Sequence, residues 1–91
     1  MINKSDILHR TTYVWKEDEG YAIIIKNDGN KVILNQDATK LWKIINDEDS
    51  VEIICDLIKE KYNISEDKTL IAIKALIEAG VVSNLDMFWG D

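Results

Sequence analysis

The stretch Lys31-Val32-Ile33-Leu34-Asn35-Gln36-Asp37-Ala38 obliges the backbone to change geometry within a few residues. Val32, Ile33 and Leu34 suit a pleated, half-buried strand. Asn35 is a good N-cap, and Asp37 falls in the first turn of a helix, where the dipole favours an anion. A short apolar strand therefore runs directly into a helix. The chain before this junction reads as β structure, and the chain after it reads as helices.

Upstream, Thr11 to Trp15 is β-branched and aromatic, and Asp18-Glu19-Gly20 suits a three-residue hairpin loop with Gly20 in the left-handed region. Tyr21 to Lys26 forms a second run, and Asp28-Gly29 reads as a two-residue type I′ turn leading into the third run, Lys31 to Leu34. These turns predict Trp15 opposite Ile23, Ile23 opposite Leu34 and Ile25 opposite Val32. One face then collects Tyr13, Trp15, Ile23, Ile25, Val32 and Leu34 as core. The other collects Val14, Lys16, Ala22, Ile24, Lys26, Lys31 and Ile33. The third run lies at an edge of this meander, blunted only by Lys31.

Downstream, Ala38, Leu41, Trp42 and Ile45 share one helical stripe, with Trp42 as a core anchor. Asn46-Asp47-Glu48-Asp49 reads as a solvated loop that lacks the glycine and distal glutamate of a calcium-binding loop. Ser50 caps a second helix bearing Val51, Ile54, Cys55, Leu57, Ile58 and Tyr62, which ends at Asn63. Ser65 caps a third helix, from Glu66 to Ala79, terminated by Gly80. This helix has two apolar faces: a bulky one (Leu70, Ile73, Leu76, Ile77), and a mostly small one (Lys68, Ile71, Ala72, Ala75, Ala79) where another backbone can approach. Val81-Val82 suits a short strand or extended cap. The apolar Met87-Phe88-Trp89 tail suits folding back onto the domain or docking on a partner.

The chain's 91 residues, 46% of them hydrophobic, are enough for one modest core. The absence of proline and the 4 glycines leave no linker-like stretch, so the chain is expected to fold nearly end to end. A net charge of −6 repels phosphate backbones. No run is long enough to span a membrane and no signal-peptide pattern is present, so a cytoplasmic location is expected. Cys55 is the one cysteine and reads as a buried thiol; His9 reads as a surface residue without ligand-like neighbours. No catalytic motif, metal cluster or cofactor fingerprint appears, and the chain is expected not to be an enzyme. Three strands followed by three helices is a winged-helix-like order. DNA binding is disfavoured because the last helix sets only Lys68 and Lys74 against Glu66, Asp67 and Glu78.

The run Val32-Ile33-Leu34-Asn35, then Ala38, Leu41-Trp42 and Ile45, then Ser50-Val51 with Ile54, Ile58 and Tyr62, and finally Leu76 with Ala79-Gly80-Val81-Val82, resembles PqqD-like proteins, also called RiPP precursor-peptide recognition elements. The similarity covers about Thr11 to Val82. It implies an α+β fold, a winged-helix-like arrangement of a three-stranded antiparallel β-meander followed by a three-helix bundle. Residues 1–10 are then an N-terminal extension, 11–82 the recognition domain and 83–91 a C-terminal tail. It further implies a peptide chaperone of natural-product biosynthesis that binds the leader of a ribosomally made precursor as an added strand. The leader is then delivered to a modifying enzyme, such as a radical SAM maturase, or to a leader protease.

Carried over by position, the peptide groove falls on Lys31, Val32, Ile33 and Leu34, and on Lys68, Ile71, Ala72 and Ala75 of the third helix. Lys31 and Lys68 are suited to attract an acidic leader residue. Main-chain hydrogen bonds would supply affinity, and side-chain pockets specificity. The competing readings are a winged-helix nucleic-acid-binding or regulatory domain, and a module that dimerises through the exposed edge; a monomer or weak dimer is expected.

Overall fold

The computed structural model describes residues 2–85; the Phe88-Trp89 tail lies outside them. The elements are β1 (Ile7–Arg10), β2 (Trp15–Asp18), β3 (Tyr21–Ile25), β4 (Lys31–Leu34), α1 (Gln36–Ile44), α2 (Val51–Tyr62), α3 (Glu66–Glu78) and β5 (Val82–Leu85). Strands β2, β3 and β4 form an antiparallel sheet in that order, and β1 pairs antiparallel with β5 in a separate ribbon. The meander-then-three-helix order is the α+β arrangement expected. No helix among the described residues is long and apolar enough to cross a membrane.

All three helix starts fall where the capping residues place them. Asn35, Ser50 and Ser65 accept hydrogen bonds from the N–H groups of Ala38, Ile53 and Lys68. Asn63 closes α2 in the left-handed region, and Gly80, at φ +80°, follows α3. Trp42 is fully buried, and Leu41, Ile45, Ile54, Ile58, Ile73 and Leu76 surround the same core. The Arg10 guanidinium lies 4.5 Å from the Trp42 ring centroid and 5.5 Å from that of Trp15, and its Nη2 donates to the Trp42 carbonyl at 2.6 Å. Burial lowers the Arg10 pKa from its ordinary value. Cys55 is buried, which pushes its thiol pKa up.

The sheet departs from the expected register because the two hairpin loops exchange lengths. Asp18 pairs with Tyr21 across a two-residue turn in which Glu19 and Gly20 both have positive φ (52° and 84°), the type I′ geometry. In the second hairpin, Lys26 N–H donates to the Asn30 carbonyl at 2.8 Å around Asn27-Asp28-Gly29, and Gly29 takes the left-handed position (φ 88°). Asp28 stabilises that loop by accepting the Asn30 N–H at 2.9 Å. Each exchange shifts the pairing by one residue, so β3 alone turns over. Ala22 and Ile24 face the core, and Ile23 and Ile25, expected inside, face outward. Tyr13, also expected in the core face, is exposed. The first strand of the sheet begins at Trp15 rather than Thr11. Before it, Thr11 N–H binds the Val81 carbonyl and the Thr12 hydroxyl binds the Ile25 carbonyl, tying the ribbon to the sheet.

Residues 1–10, which show no periodicity, contain β1, and Val82–Leu85 supplies its partner. Four residues with one fully buried side chain, Leu8, offer too short an alternation to count. Just before β1, the carbonyls of Asp6 and Lys4 accept the N–H groups of Val51 and Glu52, so the N-terminal segment completes the capping of α2. Asp6 is itself buried and accepts from Asn3 N–H and Asn84 Nδ2. The Asn46–Asp49 loop is more than a solvated turn. Asp47 accepts the Arg10 N–H at 2.8 Å and a hydrogen bond from the Tyr13 hydroxyl. Burial opposes its charge, but those two hydrogen bonds and the nearby positive charge of Arg10 are among the opposing effects that together hold the carboxyl below the usual range.

Two substitutions test this architecture. Leu8→Ala is expected to cost about 2–5 kcal/mol, the range for emptying a buried leucine site. Denaturant unfolding will show that loss if β1 is part of the cooperative unit. Thr39→Val removes the hydroxyl that accepts the buried Ala22 N–H at 2.8 Å. It is expected to cost about 1–3 kcal/mol, read as a lowered Tm.

Candidate functional site

The two edges of the meander differ in chemistry. Strand β2 reads Trp-Lys-Glu-Asp and is charged along most of its length, whereas β4 reads Lys-Val-Ile-Leu. A charged edge resists pairing with another chain, and an apolar one invites it.

The hydrogen-bond ladder determines what β4 presents. Ile25 N–H donates to Val14 of the β2 side, whereas Lys26 N–H donates to Asn30 on the β4 side. Alternation along an antiparallel strand then directs the main chain of Ile24 and Ala22 toward Val32 and Leu34. The N–H and C=O groups of Lys31 and Ile33 point the opposite way, to the open edge. Four main-chain groups are thus available to an added strand without any loss of pairing to β3.

At the end of β4 the ladder is closed by a side chain. The Thr39 hydroxyl accepts the Ala22 N–H at 2.8 Å and donates toward the Leu34 carbonyl at 3.4 Å. The Ala22 side chain, facing the core, is small, and α1 lies close enough to the sheet for that hydroxyl to reach the Ala22 main chain.

A cavity of about 280 Å³ opens beside this junction. Leu41 of α1, Ile58 of α2, Ile64 and Ala72 give it apolar walls, while Asp37, Ser65, Lys68 and Thr69 supply polar groups. Its α1 residues begin three positions beyond Leu34, at Asp37. At the other end of α3, the Lys26 side chain from the β3–β4 hairpin reaches Gly80, where an added Cβ would lie 3.2 Å from Nζ. The start of α3 therefore lies toward the end of β4, and its end toward the beginning of β4.

The expected site residues divide between the edge, the cavity and the far side of α3. Lys31 and Ile33 are exposed, with Ile33 63% accessible; Val32 is half-buried and Leu34 buried, facing the core. Lys68 and Ala72 share the cavity with Asp37. Ala75 is exposed and lines neither this cavity nor the depression that holds Ile71. Ile71, 71% accessible, belongs to the opposite flank of α3, in a separate depression with Ile2, Leu70, Lys74, Ile77 and Asn84. A difference of about 100° per residue separates Ile71 from Ala72. The two apolar flanks could be recognised by periodicity, but which one faces α1 depends on the packing. Thr39, Leu41, Ile58 and Ile64 were not expected at the site. Leu41 and Ile58 read as core, and a threonine in a helix carries no signal of a strand it will meet.

A family model described as coenzyme PQQ synthesis protein D (PqqD) matches residues 20–82. A solved structure, "TbiB1 in Complex with the TbiA(beta) Leader Peptide", matches with a TM-score of 0.61 at 15% sequence identity, covering 99% of this chain and 100% of that one. At that identity the likeness speaks for the fold. Comparison with curated proteins finds no match. The family match runs from the turn between β2 and β3 to the first residue of β5, well over half of the chain, and on that ground the chain belongs to the PqqD family.

Proposed function

We propose that this chain is a non-catalytic recognition module that binds the leader segment of a ribosomally synthesised precursor peptide by strand addition to β4. The bound precursor is then presented to a separate modifying enzyme or leader protease. The observation that carries this reading is the pair of outward-facing main chains, Lys31 and Ile33, on an apolar edge with which no strand among the described residues pairs. Family membership supports it, as does the fold shared with TbiB1 in complex with the TbiA(beta) leader peptide.

In this reading β4 supplies register and affinity through its main chain, and alternate leader side chains enter the cavity bounded by Asp37, Leu41, Lys68 and Ala72. Lys68 and Ala72 are the α3 residues assigned to the groove, and Ala75 flanks it. Ile71 is placed outside it. The nucleic-acid alternative is not favoured. The net charge is −6, and the described ion pairs neutralise Lys4, Lys26, Lys40 and Lys43 rather than leaving a basic face. The expected partners are the leader and its maturase, with the module itself a monomer or a weak dimer.

Titration with the leader peptide of its cognate precursor is expected to give micromolar or tighter binding. NMR shifts should concentrate on Lys31–Leu34, Lys68 and Ala72, and the Lys31 and Ile33 amides should gain protection from hydrogen exchange. Shifts confined to other surfaces would refute the site. Ile33→Pro removes an outward N–H that β3 does not use, so it is expected to abolish binding with little change in Tm. Ala72→Leu fills the mouth of the cavity and is expected to weaken binding about tenfold, or ~1.4 kcal/mol, with the fold retained.

A further inference from the structure

The residues of β4 whose main chains face the open edge also carry their side chains onto the outer face of the sheet. There they complete two cross-strand rows: Lys16, Ile23 and Ile33 in one, and Val14, Ile25 and Lys31 in the next. The turning-over of β3 makes both rows apolar at their centre. Val14 is 62% accessible, and Val14, Lys16, Ile23, Ile25 and Lys31 line a shallow depression on this face.

A strand laid along β4 adds one residue to each row. Directly opposed residues on neighbouring strands share a face, so the leader residue opposite Ile33 and the one opposite Lys31 both project outward, two positions apart. The residue between them projects to the inner side. Resting on the strand-addition reading, we infer that this outer face selects leaders in which an apolar residue meets Ile33 and a carboxylate, two residues away, meets Lys31.

The chemistry of the two rows supports the pairing. Ile33 stands beside half-buried Ile23 with its far side exposed, and an apolar neighbour would cover both from water. Lys31 is exposed and makes no ion pair among the described residues, in a chain with 17 acidic against 11 basic residues. Lys16, one row away, adds to the positive potential, and the carboxylate of Asp18 lies in a further row opposite Tyr21. A lysine or arginine opposite Lys31 would set like charges against each other, so the row rejects as well as selects. Lys68 belongs to the cavity on the other side, beside Asp37, and does not contribute to this row.

The test is selection of a phage-displayed library of random linear peptides on the immobilised full-length chain and on its Lys31→Glu variant. Wild-type selection is expected to enrich Asp or Glu two positions from an apolar residue. The variant is expected to enrich Lys or Arg at that place with the apolar residue kept. A synthetic peptide from the wild-type pool should bind Lys31→Glu roughly two- to fivefold more weakly, and regain affinity when its carboxylate is replaced by lysine. Pools that lack the acidic preference, or that are identical on the two proteins, overturn the inference.

Failure of strand addition reads differently. Selected peptides that still bind Ile33→Pro, or that leave the wild-type Lys31 and Ile33 amides unprotected from hydrogen exchange, refute use of the edge. Absence of any enriched peptide counts against both. Peptides that protect those amides yet ignore the charge at position 31 overturn the paired readout alone.

Discussion

The hydroxyl of Thr39 joins the main chains of β3 and β4 at the point where the sheet gives way to α1. It satisfies the buried Ala22 N–H, which would otherwise lack a partner at the price of its desolvation, and it brings the helix close to the sheet. With the three-residue loop at the other end of the hairpin, it holds β4 against β3 in a single register. A slip of one residue would exchange which β4 main chains face outward, withdrawing Lys31 and Ile33 from the edge and presenting Val32 and Leu34. Leu34 and Val32 could not then remain in the core. The register that buries the apolar side chains is also the one that presents the main chain of Lys31 and Ile33.

The sheet and the helices behind this edge are tied together through the N-terminal segment. Arg10 lies against Trp42 and Trp15, Asp47 gathers Arg10 and Tyr13, and the carbonyls of Lys4 and Asp6 cap α2. These contacts connect β1, the sheet and the helices through groups that are buried or hydrogen-bonded. A strand edge that pairs with a peptide needs such a backing, because ordering the edge at the moment of binding would cost affinity. An exposed edge is otherwise an aggregation liability, and here it is short and begins with a lysine.

Much of the fold was legible in local chemistry. Asn35, Ser50 and Ser65 mark the helix starts, Asn63 and Gly80 the ends, and the Leu41, Trp42 and Ile45 stripe the buried side of α1. The buried face of β3 is not legible locally, because Ile23, Ile24 and Ile25 are consecutive isoleucines and alternation says nothing about which of them is inside. The decision passed to turn lengths, and Asp18-Glu19-Gly20 and Asn27-Asp28-Gly29 each admit two- and three-residue loops. β1 and Asp6 carry no local signal, because their stabilisation comes from β5, α2 and Asn84, all remote in the chain. In the candidate site, the apolar edge and the two-faced helix are legible in the sequence, whereas the packing of α3 sets Ile71 in a different depression from Lys68 and Ala72.

The sequence by itself determined the order of the three meander strands and the three helices, the positions of the helix caps and the identity of the open edge, because these depend on interactions spanning a few residues. Tertiary structure decided which face of β3 is buried, which flank of α3 adjoins α1, that Leu41 and Ile58 line a cavity beside β4, and that Thr39 bonds the main chains of β3 and β4. Those outcomes rest on contacts between segments far apart in the chain, where the free energy of burying one face over another is settled only when all the elements pack together.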